Sequence, residues 1–270
     1  MDFDQQETNY LLPYDEEEVQ RLNVQHEVLL RAFRGQLVIA PVDLGRGKQV
    51  LDSGTGTGIW TLRAVARYPD TTFIGIDIQP RNFPQTTSAN ARFLAHNLLT
   101  LPEDWSNKFD FVHQRLLLAA LRKEDWRRCI SEIHRVLQPG GWTQLVEYST
   151  LWLEGPVGVR FRELHSALFN SRGLLLACAE ALPQILSDFG FRDIMIERAH
   201  IDLAGCSPEA VVARRTIFGV FRALRDAVVQ DGGFGIAHTG EEYVGLVNAL
   251  EEEVIHGTYP MEYVAICAHK

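Results

Sequence analysis

The sequence predicts an α/β fold, a doubly wound parallel sheet with helices on both faces, and three features carry that prediction. Apolar runs at 49–53, 72–78, 91–96, 109–114 and 142–148 alternate with segments of helical periodicity, as strands buried between two helical layers do. The first run passes into a turn with glycine at every second position: Gly54, Gly56 and Gly58. The second ends in an acid, Asp77, at the spacing of about 20 residues that nucleotide-binding βαβ units use.

Taken in order, the elements imply one domain. Residues 1–46 read as a helical arm, because Val19, Leu22, Leu29, Leu30 and Phe33 recur at helical spacing behind the acids Asp15 to Glu18, which favour a helix N-terminus. The arm is expected to pack over the ligand. The core sheet takes 47–150, 188–202 and 261–270, with an alternating run at 191–201 as sixth strand and 262–268 as seventh. Two segments, 151–187 and 203–260, are insertions; Ser207-Pro208-Glu209 opens a helix in the second and Gly232-Gly233 interrupts it. Open α/β sheets bind ligands outside the carboxyl ends of their strands, so both insertions should roof the site as a lid. Phe161, Phe169, Phe218, Phe221 and Leu224 are mostly packing residues, but as a set they predict an apolar roof over a neutral ligand.

The turn Val50-Leu51-Asp52-Ser53-Gly54-Thr55-Gly56-Thr57-Gly58 separates three kinds of nucleotide-type ligand. A phosphate-cradling loop needs a lysine after its last glycine, and here Ile59 and Trp60 follow. A dinucleotide turn needs a third glycine where Ile59 stands, and Asp52 would bring a carboxylate close to a pyrophosphate. S-adenosylmethionine has no phosphate; its ammonium suits an acid before the glycines, and its carboxylate suits amides after them. Asp77 would accept hydrogen bonds from the ribose hydroxyls.

These residues resemble a known family. Val50 to Trp60 is similar to motif I of the class I S-adenosylmethionine-dependent methyltransferases, and Gly75-Ile76-Asp77 to the motif that follows. Segments 93–98, 109–115 and 133–141 resemble the third strand, the fourth strand and the turn before the fifth. Within the class, Gly54 to Trp60, His113-Gln114-Arg115-Leu116-Leu117 and the upstream Glu18-x-x-Arg21-Leu22-x-x-Gln25-His26 resemble the fungal methyltransferase-like group of secondary metabolism. The resemblance implies a seven-stranded Rossmann-like methyltransferase fold with helical lid insertions, its last strand antiparallel. It further implies S-adenosylmethionine as cofactor, held by Tyr10, Asp52, Gly54, Thr55, Gly56, Gly58, Ile59, Trp60, Asp77, Ile78, Asn97, Leu98, Gln114 and Arg115. Asn97 stands where an acid usually holds the adenine amino group, and Arg115 could reach the cofactor carboxylate. Trp60 also reads as a packing residue, because it sits in the first helix.

Methyl transfer from a sulfonium is an in-line displacement, so the protein must chiefly align groups and exclude water; a base is needed where the nucleophile holds its proton tightly. Glu147 at the end of the fifth strand and His165 early in the first insertion are the preferred polar groups near the acceptor, with His113 as a further candidate. Strand alternation forbids His113 and Gln114 from facing one side. Plant-type O-methyltransferases carry a catalytic histidine shortly after the fourth strand, and Leu121-Arg122-Lys123-Glu124-Asp125-Trp126 has none.

The formal net charge of -9 without a basic run argues against nucleic acid and for a small-molecule partner. Cys129, Cys178, Cys206 and Cys267 form no Cys-x-x-Cys pair, and no His/Asp/Glu set has metal-ligand spacing, so no metal is expected. Neither a signal peptide nor a membrane span is visible, which points to the cytosol or the nucleus. Oligomeric state leaves no trace in the sequence. The activity expected is methyl transfer to a small, fairly apolar, natural-product-like acceptor. The alternative is a protein of the same fold that binds the cofactor but acts as a regulator or cyclase.

Overall fold

The computed structural model describes residues 16–149, 153–257 and 261–270. Seven strands form one sheet in the order β3-β2-β1-β4-β5-β7-β6: β1 (Gln49–Ser53), β2 (Thr72–Asp77), β3 (Ala91–Ala95), β4 (Phe109–Arg115), β5 (Leu137–Ser149), β6 (Arg192–Ile201) and β7 (Met261–His269). β1 to β5 pair in parallel, while β7 runs antiparallel to both β5 and β6. All seven strands lie where the apolar runs placed them. β5 starts earlier than expected, at Leu137, because Leu137 pairs with Phe109 before the Gln138–Gly141 segment shifts the register and Trp142 resumes opposite Phe111.

Period-2 alternation sends neighbouring residues to opposite faces. Leu51, Val112 and Leu145 pack with α3 (Lys123–Val136) and α5 (Cys178–Asp188) on one face. On the other face, Val50, Phe73 and Phe111 pack with Trp60, Ala64 and Val65 of α2 (Ile59–Arg67). Farther along that face, Val146, Tyr148, Tyr263 and Ala265 join the apolar sides of α4 (Pro156–Ser171), α6 (Pro208–Ala223), α7 (Arg225–Gln230) and α8 (Gly240–His256). Leu29, on α1 (Glu16–Ala32), and Phe33 just beyond it complete this cluster.

The insertion at 151–187 is therefore only partly lid. α4 joins the roof, but α5 buries Cys178, Ala179, Leu182 and Leu186 against the opposite sheet face, as a core helix does. Its heptad-like spacing could not say which face it would choose. In the second insertion, Ser207 caps α6 by accepting from Ala210 N, and Thr239 with Glu242 forms a capping box for α8. No helix among the described residues is long and apolar enough to cross a membrane.

Candidate active site

The register of the central strands builds the site. Ser53 pairs with Ile76 of β2 and with Gln114 of β4, so the next residues, Gly54, Asp77 and Arg115, stand level at the carboxyl rim. Asp77 and Arg115 are thus two strand spacings apart, about 10 Å, with the glycine turn between them. Together they line a cleft of about 380 Å³, whose walls also include Thr55, Gly56, Ile78, Asn97 and Leu98. Eight of the residues expected to hold a cofactor meet here. The arm contributes Glu18, Leu22 and Gln25 from α1, and the loop after β4 contributes Leu116 and Leu117.

The turn is held from within. Gly54 N and Thr55 N both donate to Ile76 O, at 2.9 and 2.8 Å, and Gly58 N donates to Thr55 O. Gly56 N donates to Asp77 Oδ2 at 2.8 Å. The amides of Gly54, Thr55 and Gly56 thus clamp the turn to β2, and that of Gly58 closes it on itself. Asp77 Oδ1 accepts from Gln79 N at 3.0 Å, which leaves further lone pairs on both oxygens for ribose hydroxyls. Burial raises its carboxyl above the usual range, against three backbone hydrogen bonds that lower it. Asn97 Oδ1 accepts from Leu99 N, so its amide is oriented by its own turn.

Arg115 lines the cleft outside any ion pair among the described residues, with the more distant Asp52 charge acting on it. Nη1 donates to His26 Nδ1 at 2.9 Å, and among the described residues no carboxylate lies within ion-pair distance of the guanidinium. His26 accepts this bond as a neutral ring: burial first, then the nearby cations Arg115 and Arg63, push it down to about 3. The imidazole is neutral, with its Nδ1 lone pair spent on Arg115. Such a guanidinium is suited to a carboxylate.

Several expected residues sit elsewhere. Asp52 does not line the cleft: it is buried, and it accepts from Thr55 Oγ1 at 2.5 Å, Thr61 Oγ1 at 2.7 Å and His113 Nδ1 at 2.8 Å. Burial alone would raise this carboxyl, but the bonds from His113, Thr55 and Thr61 outweigh it and hold it below the usual range. His113 is stacked on Trp60 at 3.9 Å and is equally buried, so it is part of the same scaffold and away from the acceptor. Trp60 packs against Phe73 and Phe111 and donates through Nε1 to Leu37 O. Gly58 and Ile59 also stay off the cleft wall; Gly58 adopts φ 74, and a Cβ there would stand 2.6 Å from the Phe93 ring. Gln114 points to the opposite sheet face, where it accepts from Cys129 Sγ. Tyr10 lies outside the described residues.

Glu147 is buried beneath the loop after β4, accepting from Leu117 N at 2.7 Å and Leu118 N at 3.4 Å. Burial pushes its carboxyl up to about 8. It lines neither cavity and acts on the loop between them, which corrects its placement near the acceptor.

A second cavity, of about 90 Å³, lies under the lid and shares Leu22, Gln25 and Leu116 with the cleft. His165 lines it with Phe169, Ile217, Phe221 and Leu224. Its Nε2 lies 3.3 Å from Tyr243 Oη, and burial drives the imidazole down to about 3. A ring that holds a proton so weakly is a poor general base and fits a neutral polar contact better. Gln25, Tyr148 and Tyr263, which also line the lid cavity, and His26, which meets the site through Arg115, escaped the sequence reading. Gln25 and His26 did belong to a motif quoted for resemblance alone; the two tyrosines carried no signal beyond strand alternation.

Comparison with known proteins adds a consistent result. The family described as a methyltransferase domain matches residues 50–141. The N-methyltransferase verN of Clonostachys rogersoniana is 34% identical over 206 residues, covering 74% of this chain and 71% of that protein. The N-methyltransferase sirN of Leptosphaeria maculans is 38% identical over 143 residues, and the match spans 52% of this chain and half the length of sirN. Among solved structures, a mycolic acid cyclopropane synthase in complex with SAH and CTAB superposes with a TM-score of 0.59 at 15% identity, covering 100% of this chain and 91% of that one. That last likeness concerns the fold.

Proposed function

The chain belongs to the class I S-adenosylmethionine-dependent methyltransferases, in the fungal group of secondary metabolism, and from that premise we propose that it methylates a nitrogen of a small, neutral, largely apolar acceptor. The observation that carries the reading is the pair of opposite charges level with the glycine turn, Asp77 on β2 and Arg115 on β4, above one cleft. A ligand that offers hydroxyls at one end and a carboxylate at the other matches it; a pyrophosphate would meet the Asp77 carboxylate.

In this reading Asp77 accepts from the ribose hydroxyls, Arg115 pairs with the amino-acid carboxylate, and Asn97 and Leu98 border the adenine. When bound, the cofactor supplies an electrophilic methyl group on a sulfonium. Leu22 and Leu116 exclude water from the junction of the two cavities, and the loop held by Glu147 sets the approach. No acidic side chain lines the lid cavity among the described residues, which favours a neutral acceptor over a cationic amine. Nitrogen is proposed from the activities named for sirN and verN. Those named transferases also weigh against the alternative of a regulator or cyclase that transfers nothing. The net charge of -9 supports a small molecule over nucleic acid.

Incubation with methyl-labelled cofactor and a fungal metabolite extract should place label on a nitrogen of an apolar product, with S-adenosylhomocysteine binding visible by calorimetry. A protein that ignores S-adenosylhomocysteine and takes up a nicotinamide dinucleotide would overturn the reading.

A further inference from the structure

A methyl group that passes from the cleft to a molecule in the lid cavity must cross where the two spaces meet. Among the described residues, Leu22, Gln25 and Leu116 line both. Two of these side chains are hydrocarbon, so the Gln25 carboxamide is the polar side chain at the crossing. Its helix fixes it there. Glu18, Leu22, Gln25 and Leu29 recur at the spacing of one helix face, Leu29 is sunk in the core, and the adjacent His26 accepts from Arg115 at 2.9 Å. Gln25 is half-buried, and its Oε1 is not among the polar side-chain atoms that the fold shuts off.

The other polar side chains of the lid cavity are Arg21, Tyr148, His165 and Tyr263, and none borders the cleft. Each is otherwise engaged or closed. Arg21 turns Nε and Nη2 onto Glu18 at 2.6 Å each, so its charge is answered, and its Nη1 is shut off. The Tyr148 hydroxyl is shut off as well. His165 Nε2 faces Tyr243 Oη at 3.3 Å, deep under the lid. Burial pushes the Tyr263 phenol up, and a hydrogen bond from Gln25 works against that push. A bond that lowers a phenol favours its anionic form, so the amide N–H donates and the phenol oxygen accepts. The lone pairs of Gln25 Oε1 are left for a ligand.

We infer that Gln25 is a specificity-determining residue: its Oε1 accepts a hydrogen bond from an N–H of the acceptor, so the junction takes a nitrogen that carries a hydrogen over an ether of the same shape. The inference rests on the methyl-transfer reading for calling the occupant an acceptor. A carboxamide holds such a nitrogen without taking its proton, which suits a neutral amine whose lone pair is already free. Sites built to hydrogen-bond a ligand group discriminate against analogues that lack it, because the partner in the site is then left unpaired.

The test uses N-methylaniline and anisole, which match in shape and differ by N–H against O, titrated by ligand-observed NMR into the full chain with and without S-adenosylhomocysteine. The wild type should prefer the amine about tenfold, the value of one hydrogen bond in a sheltered site. Gln25→Met, of similar length, should bind both probes alike while keeping the anisole affinity and the Tm. Gln25→Glu, which restores an acceptor oxygen, should keep the preference for the amine. Equal binding of the two probes by the wild type, silence from both, a preference that survives in Gln25→Met, or its loss in a folded Gln25→Glu would each overturn the assignment. Calorimetry with S-adenosylhomocysteine reads the cleft separately: silence there counts against the methyl-transfer reading, whereas binding there without a probe preference counts against Gln25 alone.

Discussion

At the residue scale, the site separates groups that hold the scaffold from groups that face the ligand, and residue type alone does not tell them apart. Asp52 and Asp77 both flank the glycine turn, yet Asp52 is consumed by Thr55, Thr61 and His113 while Asp77 keeps lone pairs toward the cleft. Asp52→Asn should therefore act on folding: it swaps an acceptor of three hydrogen bonds for a group that presents an NH₂ to at least one donor, costing about 2–4 kcal/mol. Thermal melting should register a clear drop, with S-adenosylhomocysteine affinity changed less than about tenfold in the folded fraction. Arg115→Met should do the reverse. Affinity measured by calorimetry should fall about tenfold or more with the loss of a charge-assisted pair, while the Tm of the ligand-free protein changes little, because the half-buried guanidinium stands in no ion pair among the described residues. That Asp77 and Arg115 line the cleft was legible from position, since each ends a strand that flanks the turn. The inward role of Asp52 was not, because the threonines and histidine that satisfy it lie 3, 9 and 61 positions away and only the fold brings them together.

At the scale of elements, the seven strands could be read because strands buried on both faces leave an unbroken apolar run that little else imitates. Helices were harder to assign to a layer. α5 and α4 lie in one insertion, and only tertiary packing sends Leu182 and Leu186 to one face of the sheet and Leu164 and Leu168 to the other. The loop after β4 is held in part by the Glu147 carboxyl, through Leu117 N and Leu118 N. The folded value of about 8 for Glu147 lies above the ordinary 4.5, so between these values the folded chain holds a proton that the unfolded chain releases, and stability falls as pH rises through that window and levels off above it. Glu147→Gln, which keeps an acceptor for Leu117 N, should remove this slope and melt roughly 5 °C higher than the wild type at alkaline pH. Melting curves across the window decide it; parallel pH profiles for the two proteins would exclude Glu147 as the source.

At the scale of the whole molecule, α4, α6, α7 and α8 share one continuous core with the sheet, so this roof is a fixed wall. α1 differs along its length. Leu29 anchors its carboxyl half in that core, whereas Glu18, Leu22 and Gln25 of its amino half border the cleft, held to the body near there by the Asn23–Thr57 bond. Ligand binding should tie this half down: amide exchange across Glu16–Gln25 should slow at least several-fold with saturating S-adenosylhomocysteine, while the carboxyl half changes little. Because Leu22 and Gln25 border both cavities, one short stretch of helix governs traffic for two molecules. Departure should then have a sequence, product first and spent cofactor after it. Steady-state inhibition by S-adenosylhomocysteine should consequently be competitive toward the methyl donor and noncompetitive toward the nitrogen compound, and the exit of a leaving molecule, more than bond-making, would set the pace of turnover.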